Sequence, residues 1–577
     1  MKKNYHKAHE DFHKIHKGIS LRALRVLALC SLWFISCSSP SQKEKVDLII
    51  HNAVVYTIDS AFSSAESFAV KNGKIIAVGA NDSILAKYDG EKLDAQGKAV
   101  FPGFIDAHCH FYGYGLGLKK VDLTGTKSFE DVIQRVVEFS KANHGEWIQG
   151  RGWDQNDWDI KEFPTKDKLD SLFPNTPVFL KRVDGHAALV NSEALRRAGI
   201  TNETKVNGGS IEHYNEGFSK KGELISTNNL TGVLVDNAVD LVANKIPSPS
   251  KPKARDALLA AQKNCFAVGL TTVDDAGLEK QIGDLIDDMQ KNGELKMRVY
   301  AMLTDNKENL DYYLEHGIYK TERLNVRSFK FYADGALGSR GACLLHPYSD
   351  KPQQQGFLLN KYEYYLEHAQ KLAEKGFQMN THCIGDSAGR FLLDTYGYIL
   401  KGVNDKRWRI EHAQVINQND FDKFKKYSIV PSVQPTHATS DMYWAEKRLG
   451  PDRVKEAYAY KDLLISSGIV ALGTDFPVEN INPMHTFYSS VARKDLKGFP
   501  TEGFQMENAL TRAETIKGMT IWAAYANFEE KEKGSMEPGK FADFVILDKD
   551  IMKINIDEVP NVKVVATYLN GEKVYSK

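Results

Sequence analysis

The chain has 577 residues, with 75 Lys or Arg balanced by 75 Asp or Glu and a formal net charge of zero. That length accommodates one large domain plus a smaller one, and the balanced charge argues against nucleic acid as a partner. Its 6 cysteines show no framework spacing, which excludes a disulfide scaffold and a Cys-rich zinc site.

Residues 1–36 do not read as part of a fold. Lys2, Lys3, Lys7, Lys14, Lys17, Arg22 and Arg25 form a basic leader, and Leu27 to Ile35 is an apolar stretch too short to span a bilayer as a mature helix. It ends at Phe-Ile-Ser-Cys37, followed by a Ser-rich stretch. This resembles a bacterial lipoprotein signal. The resemblance implies a signal peptide at 1–36, a lipidated Cys37 and a tether at 37–46. It also implies an exported lipoprotein anchored on the periplasmic side of a bacterial membrane, expected to be the outer one. The alternative is a plain N-terminal anchor helix with Cys37 incidental.

Residues 47–100 are rich in β-type runs: Leu48 to Tyr56, Phe68 to Val78 and Lys98 to Val100. Asn72-Gly73 marks a tight hairpin. Residues 535–577 have the same texture, with runs at Ala542 to Leu547 and Val562 to Leu569 and a second tight turn at Asn570-Gly571. Two β segments flanking an α/β middle are expected to pair into one discontinuous β-sandwich.

Residues 101–534 alternate apolar strands with amphipathic stretches, the pattern of a parallel barrel. The predicted strands are Val100–His108, Leu270–Asp274, Met297–Met302, one carrying Lys330, one ending on His382, one ending on His412, Ile429–Val433 and one ending on Asp475. Residues 111–252, between the first two, are too long for one strand–helix unit and read as an inserted cap rich in aromatics. The predicted class is therefore α/β: a (β/α)₈ TIM barrel, a β-sandwich and a large insertion after barrel strand 1.

The strand ends carry the chemistry. Side chains alternate along a strand, so His108 and His110 share a face while Cys109 points the other way, which makes a half-site for a divalent metal. Lys330, His382, His412 and Asp475 each follow an apolar run. Singly they have plainer readings: Lys330 as an interior ion-pair partner, Asp475 as a helix cap. As a series they gather at the C-terminal mouth of a barrel, where such folds place their active sites.

The order His-x-His, strand Lys, His, His and Gly-Thr-Asp475 resembles the amidohydrolase superfamily. The segments Lys330 to Arg340, Asp184 to Ser192, Gly152-Trp-Asp-Gln and Gln434-Pro-Thr-His437 are similar to its family 3 branch, which includes N-substituted formamide deformylases. The resemblance spans residues 45–577. It implies one or two divalent metal ions, with zinc expected, held by His108, His110, His382, His412 and Asp475. It also implies a carboxylated Lys330 as a bridging ligand; an unmodified ammonium has only donors and cannot ligate. A bound metal lowers the pKa of its water to about 7 and polarises the substrate carbonyl.

The expected reaction is hydrolysis of a non-peptide C–N bond in a linear amide, N-acyl or N-formyl amine. Asp475 would take the proton of the metal-activated water and pass it to the leaving nitrogen. His437 is a candidate to polarise the carbonyl and Arg340 to clamp a carboxylate or carbonyl. The plainer readings are a surface histidine and a loop salt bridge. Trp153, His186 and Asp334 are candidate substrate contacts, and Asp106 and Glu411 candidate supports of the ligands. His144, His213, His316, His346, His368 and His485 have no such context. Alternatives are a cyclic-amide or ester hydrolase on the same site, or a non-catalytic, metal-containing, lipid-anchored binding protein. A small-molecule substrate and the membrane are the expected partners, with a homodimer left open.

Overall fold

The computed structural model describes residues 42–142, 146–214, 217–218, 224–225 and 229–577. The signal segment, Cys37 and His144 lie outside the described residues.

The two flanking β segments meet in a sandwich of two sheets. One is ordered Lys74–Gly79, Ser67–Lys71, Glu44–His51, Tyr88–Asp94. The other runs Glu572–Ser576, Val564–Leu569, Phe544–Leu547, Ala99–Pro102, Val54–Tyr56, Ser64–Ala65. The C-terminal strand Phe544–Leu547 pairs antiparallel with Ala99–Pro102, joining chain ends more than 400 residues apart. Leu48, Ile50, Phe68, Val70, Val100, Phe544 and Ile546 close the core between the sheets. Both tight turns take the left-handed pairs their residues favour, Asn72 (φ 51°) with Gly73 (φ 73°) and Asn570 (φ 51°) with Gly571 (φ 73°). The first strand begins at Glu44, so the fold reaches three residues into the stretch assigned to the tether.

Eight parallel strands form the barrel: β1 (Phe104–Cys109), β2 (Leu270–Leu278), β3 (Arg298–Thr304), β4 (Leu324–Tyr332), β5 (Gln378–Cys383), β6 (Arg409–His412), β7 (Val430–Val433) and β8 (Ala471–Leu472). Each pairs with the next in chain order, as the alternation of strands and helices requires. β8 has two residues, shorter than the apolar run Ile469–Asp475 suggests. The chain leaves the ladder at Gly473 and closes the barrel against β1 by other bonds. Asp475 N donates to His108 O at 2.7 Å, and His110 N donates to Phe476 O at 2.8 Å. Thr474 donates to Asp106 through N at 3.0 Å and Oγ1 at 2.7 Å.

The insertion is narrower than 111–252. The helix Phe111–Gly117 belongs to the barrel wall: a Cβ on Gly115 would lie 2.1 Å from Ala257 O on the helix Lys251–Ala267. The inserted part has its own six-stranded sheet, ordered Gly209–His213, Leu230–Asp236, Ala187–Val190, Val178–Arg182, Ile148–Trp153, Val121–Asp122. One apolar cluster centred on Trp153 and Leu180 and another on Val190 and Leu234 bury its two faces. Its turn Asp184-Gly185-His186 reaches the barrel mouth.

Candidate active site

His108 lies at the end of β1 and points into the barrel, while its neighbour Cys109 packs in the apolar layer outside, as strand alternation demands. Lys330 on β4 donates from Nζ to His108 Nε2 at 3.0 Å, and His108 Nδ1 donates to Glu411 Oε2 at 2.6 Å. These two bonds fix the tautomer and aim Nε2 at the mouth. Glu411 rests in turn on a buried chain: Arg409 Nη1 is 3.8 Å from Glu411 Oε1 and 3.0 Å from Asp274 Oδ2.

His412, at the end of β6 next to Glu411, is held the same way: its Nδ1 donates to Gln434 Oε1 at 2.7 Å. The His382 ring lies 4.6 Å from that of His412, and the His108 ring 4.8 Å from it. Asp475 stands between the groups. Its Oδ1 is 3.2 Å from His110 Nε2 and 3.8 Å from His108 Nε2, and its Oδ2 is 3.8 Å from His437 Nε2. His412 (φ 71°) and Asp475 (φ 60°) both hold positive φ, a strained backbone of the kind that concentrates at functional sites.

The electrostatics favour uncharged rings around a charged carboxylate. Burial pushes His110 down to about 4 and holds His382 and His412 well below the usual imidazole range. Burial alone would raise Asp475, but the His110 ring 3.2 Å from its Oδ1 and the other nearby histidines outweigh it and hold the carboxyl well below its ordinary value. Burial also brings Lys330 down to about 8, against the opposing pull of Glu411 and Asp475.

These residues fit a divalent metal. His382 Nε2, His437 Nε2 and Asp475 Oδ1 are buried without a hydrogen-bond partner, an arrangement that is costly unless a ligand completes it. Among the described residues two sets lie close enough to share an ion, His108 with His110 and Asp475, and His412 with His437 and Asp475. The donors are imidazole nitrogens and a carboxylate, and the far nitrogens of His108 and His412 are tied back in the manner of metal ligands.

The cluster opens into a cavity of about 850 Å³ between barrel and insertion. His186 reaches it: its ring is 4.8 Å from that of His382, and its Nδ1 donates to Asp236 Oδ1 at 2.8 Å. Three other candidates are placed differently from expectation. Trp153 is buried in the insertion core, with Nε1 on Leu180 O at 2.8 Å, and does not line the cavity. Its strand turns it inward because a large apolar ring gains more there than at a wet wall. Arg340 turns to Asp350 at 2.9 Å on the outer side of its loop and is also absent from the cavity wall. Asp334 accepts backbone N–H bonds from Cys343, Ile384 and Gly385 at 2.8 to 3.0 Å. It ties together the loops after β4 and β5, and burial raises it to about 7.

Other wall residues were not singled out from sequence. Tyr332 lies two residues beyond Lys330 with its ring 5.4 Å from that of His382; the two-residue step along the strand was a usable signal. Gln434 sits in the quoted Gln434-Pro motif, where only His437 drew a role. Arg151, Lys181 and Glu479 gave no signal. His213, His316 and His346 are exposed and His368 and His485 half-buried, all away from the cavity.

A family profile described as "Amidohydrolase family", of the family 3 branch, matches residues 91–575. Protein LONG AFTER FAR-RED 3 of Arabidopsis thaliana is 34% identical over 553 residues, covering 92% of this chain and 91% of its own. The putative amidohydrolase YtcJ of Bacillus subtilis is 31% identical over 542 residues, covering 92% and 99%. The N-substituted formamide deformylase of Arthrobacter pascens is 27% identical over 557 residues, covering 92% and 98%. Among solved structures, an uncharacterized metal-dependent hydrolase from Pyrococcus horikoshii superposes with a TM-score of 0.71 at 27% identity, covering 88% of this chain and 99% of that one. A profile match over most of the chain, on a barrel with these side chains at its mouth, shows that the chain belongs to the amidohydrolase family, hydrolases of carbon–nitrogen bonds.

Proposed function

We propose that this chain is a metal-dependent hydrolase of a linear amide, N-acyl or N-formyl amine. The observation that carries the reading is the convergence of His108, His110, His382, His412 and Asp475, with the inward Nε2 of His382 and Oδ1 of Asp475 buried and unpartnered. Similarity to the metal-dependent hydrolase of Pyrococcus horikoshii and to the N-substituted formamide deformylase of Arthrobacter pascens supports metal dependence and the class of bond.

His108, His110, His382, His412 and Asp475 would hold the metal, with Lys330 as bridge if it is carboxylated. When bound, the metal supplies Lewis acidity toward water and the substrate carbonyl. Asp475 stays ionised, so it takes a proton from the attacking water. The same carboxyl then gives that proton to the nitrogen as the C–N bond breaks. His437, its Nε2 3.8 Å from Asp475 Oδ2, donates to the substrate carbonyl oxygen. Lys330 loses its ammonium proton readily because burial disfavours that charge. Its neutral nitrogen can then add to the carbon of CO₂ and lose a second proton, giving an anionic carbamate.

The test is metal analysis of purified protein alongside a hydrolysis screen of amides, formamides, imides and esters with metal added. Hydrolysis of N-acyl or N-formyl amines is expected. Bound metal without turnover of any of these compounds would instead favour a binding protein.

A further inference from the structure

Arg151 and Lys181 stand directly opposite one another on adjacent parallel strands of the insertion, Ile148–Trp153 and Val178–Arg182, and both line the cavity. Like charges in facing positions destabilise a sheet unless something between them compensates. Among the described residues no carboxylate lies within 4.0 Å of either. Asp475 and Asp184 attract Arg151, and Asp240 and Asp184 attract Lys181, only from beyond that distance. Asp122, facing Arg151 on its other side, accepts from Thr124 N at 2.9 Å. Asp184 is paired with Arg182, and Asp236 with His186. Asp240 also lines the cavity near Lys181, and among the described residues it makes no ion pair within 4.0 Å with it. Arg151 fixes Nε and Nη2 on Val183 O at 3.2 and 2.8 Å, which leaves Nη1 uncommitted.

Both cations sit beside the barrel site. A Cβ on Gly185 would lie 3.4 Å from Arg151 Nη2, so the guanidinium packs under the turn that carries His186 to His382. Lys181 is brought down to about 8 by burial first, then by Arg151 and Lys120, against the opposing pull of Asp240 and Asp184.

We infer that Arg151 and Lys181 form an anion-binding subsite, and that the substrate carries a carboxylate away from its scissile C–N bond. The substrate part of this inference rests on the hydrolase reading above; the anion subsite does not. A negative group between the two side chains would remove their repulsion and form charge-assisted hydrogen bonds. The insertion would then recognise one end of the substrate while the barrel acts on the other.

The test uses metal-loaded protein and two series of equal chain length: N-formyl ω-amino acids and neutral N-formyl alkylamines. At one chain length the wild type should favour the carboxylate in kcat/KM. Lys181→Met should cut that carboxylate-to-neutral ratio about tenfold, mainly through KM, as loss of one charged hydrogen bond implies, and Lys181→Arg should largely restore it. A wild type without preference, or a ratio unmoved by Lys181→Met, would overturn the inference. If neither series is hydrolysed, the hydrolase reading fails and calorimetric titration with hexanoate decides the subsite. Binding weakened about tenfold by Lys181→Met supports it, and binding equal in both proteins overturns it, as expected for a carboxylate held by metal alone.

Discussion

Glu411 takes the Nδ1 hydrogen of His108 and Gln434 that of His412, so both rings present Nε2 to the mouth. Such supports hold ligands in place at the scale of one hydrogen bond. Glu411→Gln is expected to lower metal affinity about 10- to 100-fold, read by titration with a metal-chelating dye, while the protein remains folded. His108→Ala or His382→Ala should abolish activity and lower bound metal by elemental analysis. His316→Ala, on an exposed helix end where Nδ1 meets Tyr312 O, should change neither. Equal metal in wild type and His108→Ala would remove the ligand assignment. Lys330→Ala should lose activity, with short carboxylates such as formate or acetate partly restoring it. Electron density for a bare lysine turned away from a filled metal site would contradict the bridging role.

At the scale of elements, the join between β8 and β1 is the tightest part of the barrel. A Cβ at Gly473 would fall 2.6 Å from His108 N and 2.8 Å from Asp106 Oδ1, both rigid in their surroundings. Gly473→Ala should therefore push the Asp475 loop off β1. We expect about 1–3 kcal/mol of destabilisation in denaturant unfolding, as for overpacked cores, with loss of activity larger than stability alone explains. A variant with wild-type unfolding and activity would show that the loop can yield. The insertion acts at the same scale: its sheet buries Trp153 on one side and brings His186, Arg151 and Lys181 to the cavity on the other.

For the whole molecule, the proposed ligands come from β1, β4, β5, β6 and the β8 loop, so metal binding would act as a clasp on the closed barrel. Chelation should lower the thermal midpoint, and metal added back should restore it. At 100 times the dissociation constant the linkage is worth about 2.7 kcal/mol. Scanning fluorimetry with and without chelator reads it, and identical midpoints would argue against a metal bound only by the folded state. Membrane attachment is a separate proposal, resting on residues before the fold. Cys37→Ser should move the protein from the membrane to the soluble periplasmic fraction, and unchanged membrane association would point to another anchor. Among the described residues no helix is long and apolar enough to cross a membrane.

The local code was enough for much of this. Apolar runs ending in His108, His382, His412 and Asp475 marked barrel strand ends because a buried parallel strand must be apolar until it reaches the mouth. The two Asn-Gly pairs marked their turns because few other residues accept positive φ in succession. What the sequence left open depended on distance in space rather than along the chain. Trp153 and Arg340 both lie in segments that resemble the family's motifs, yet one turned to a core and the other to Asp350, choices made by packing. Glu411 was readable as a neighbour of a ligand, but only the barrel shows that it supports His108, 303 residues away, rather than His412 beside it. The pairing of Arg151 with Lys181 is set by the register of two strands, and no local propensity encodes register between them. The strand ends and turns follow from preferences within a few residues; the partners of each side chain follow from a closed barrel and a folded insertion meeting over one cavity.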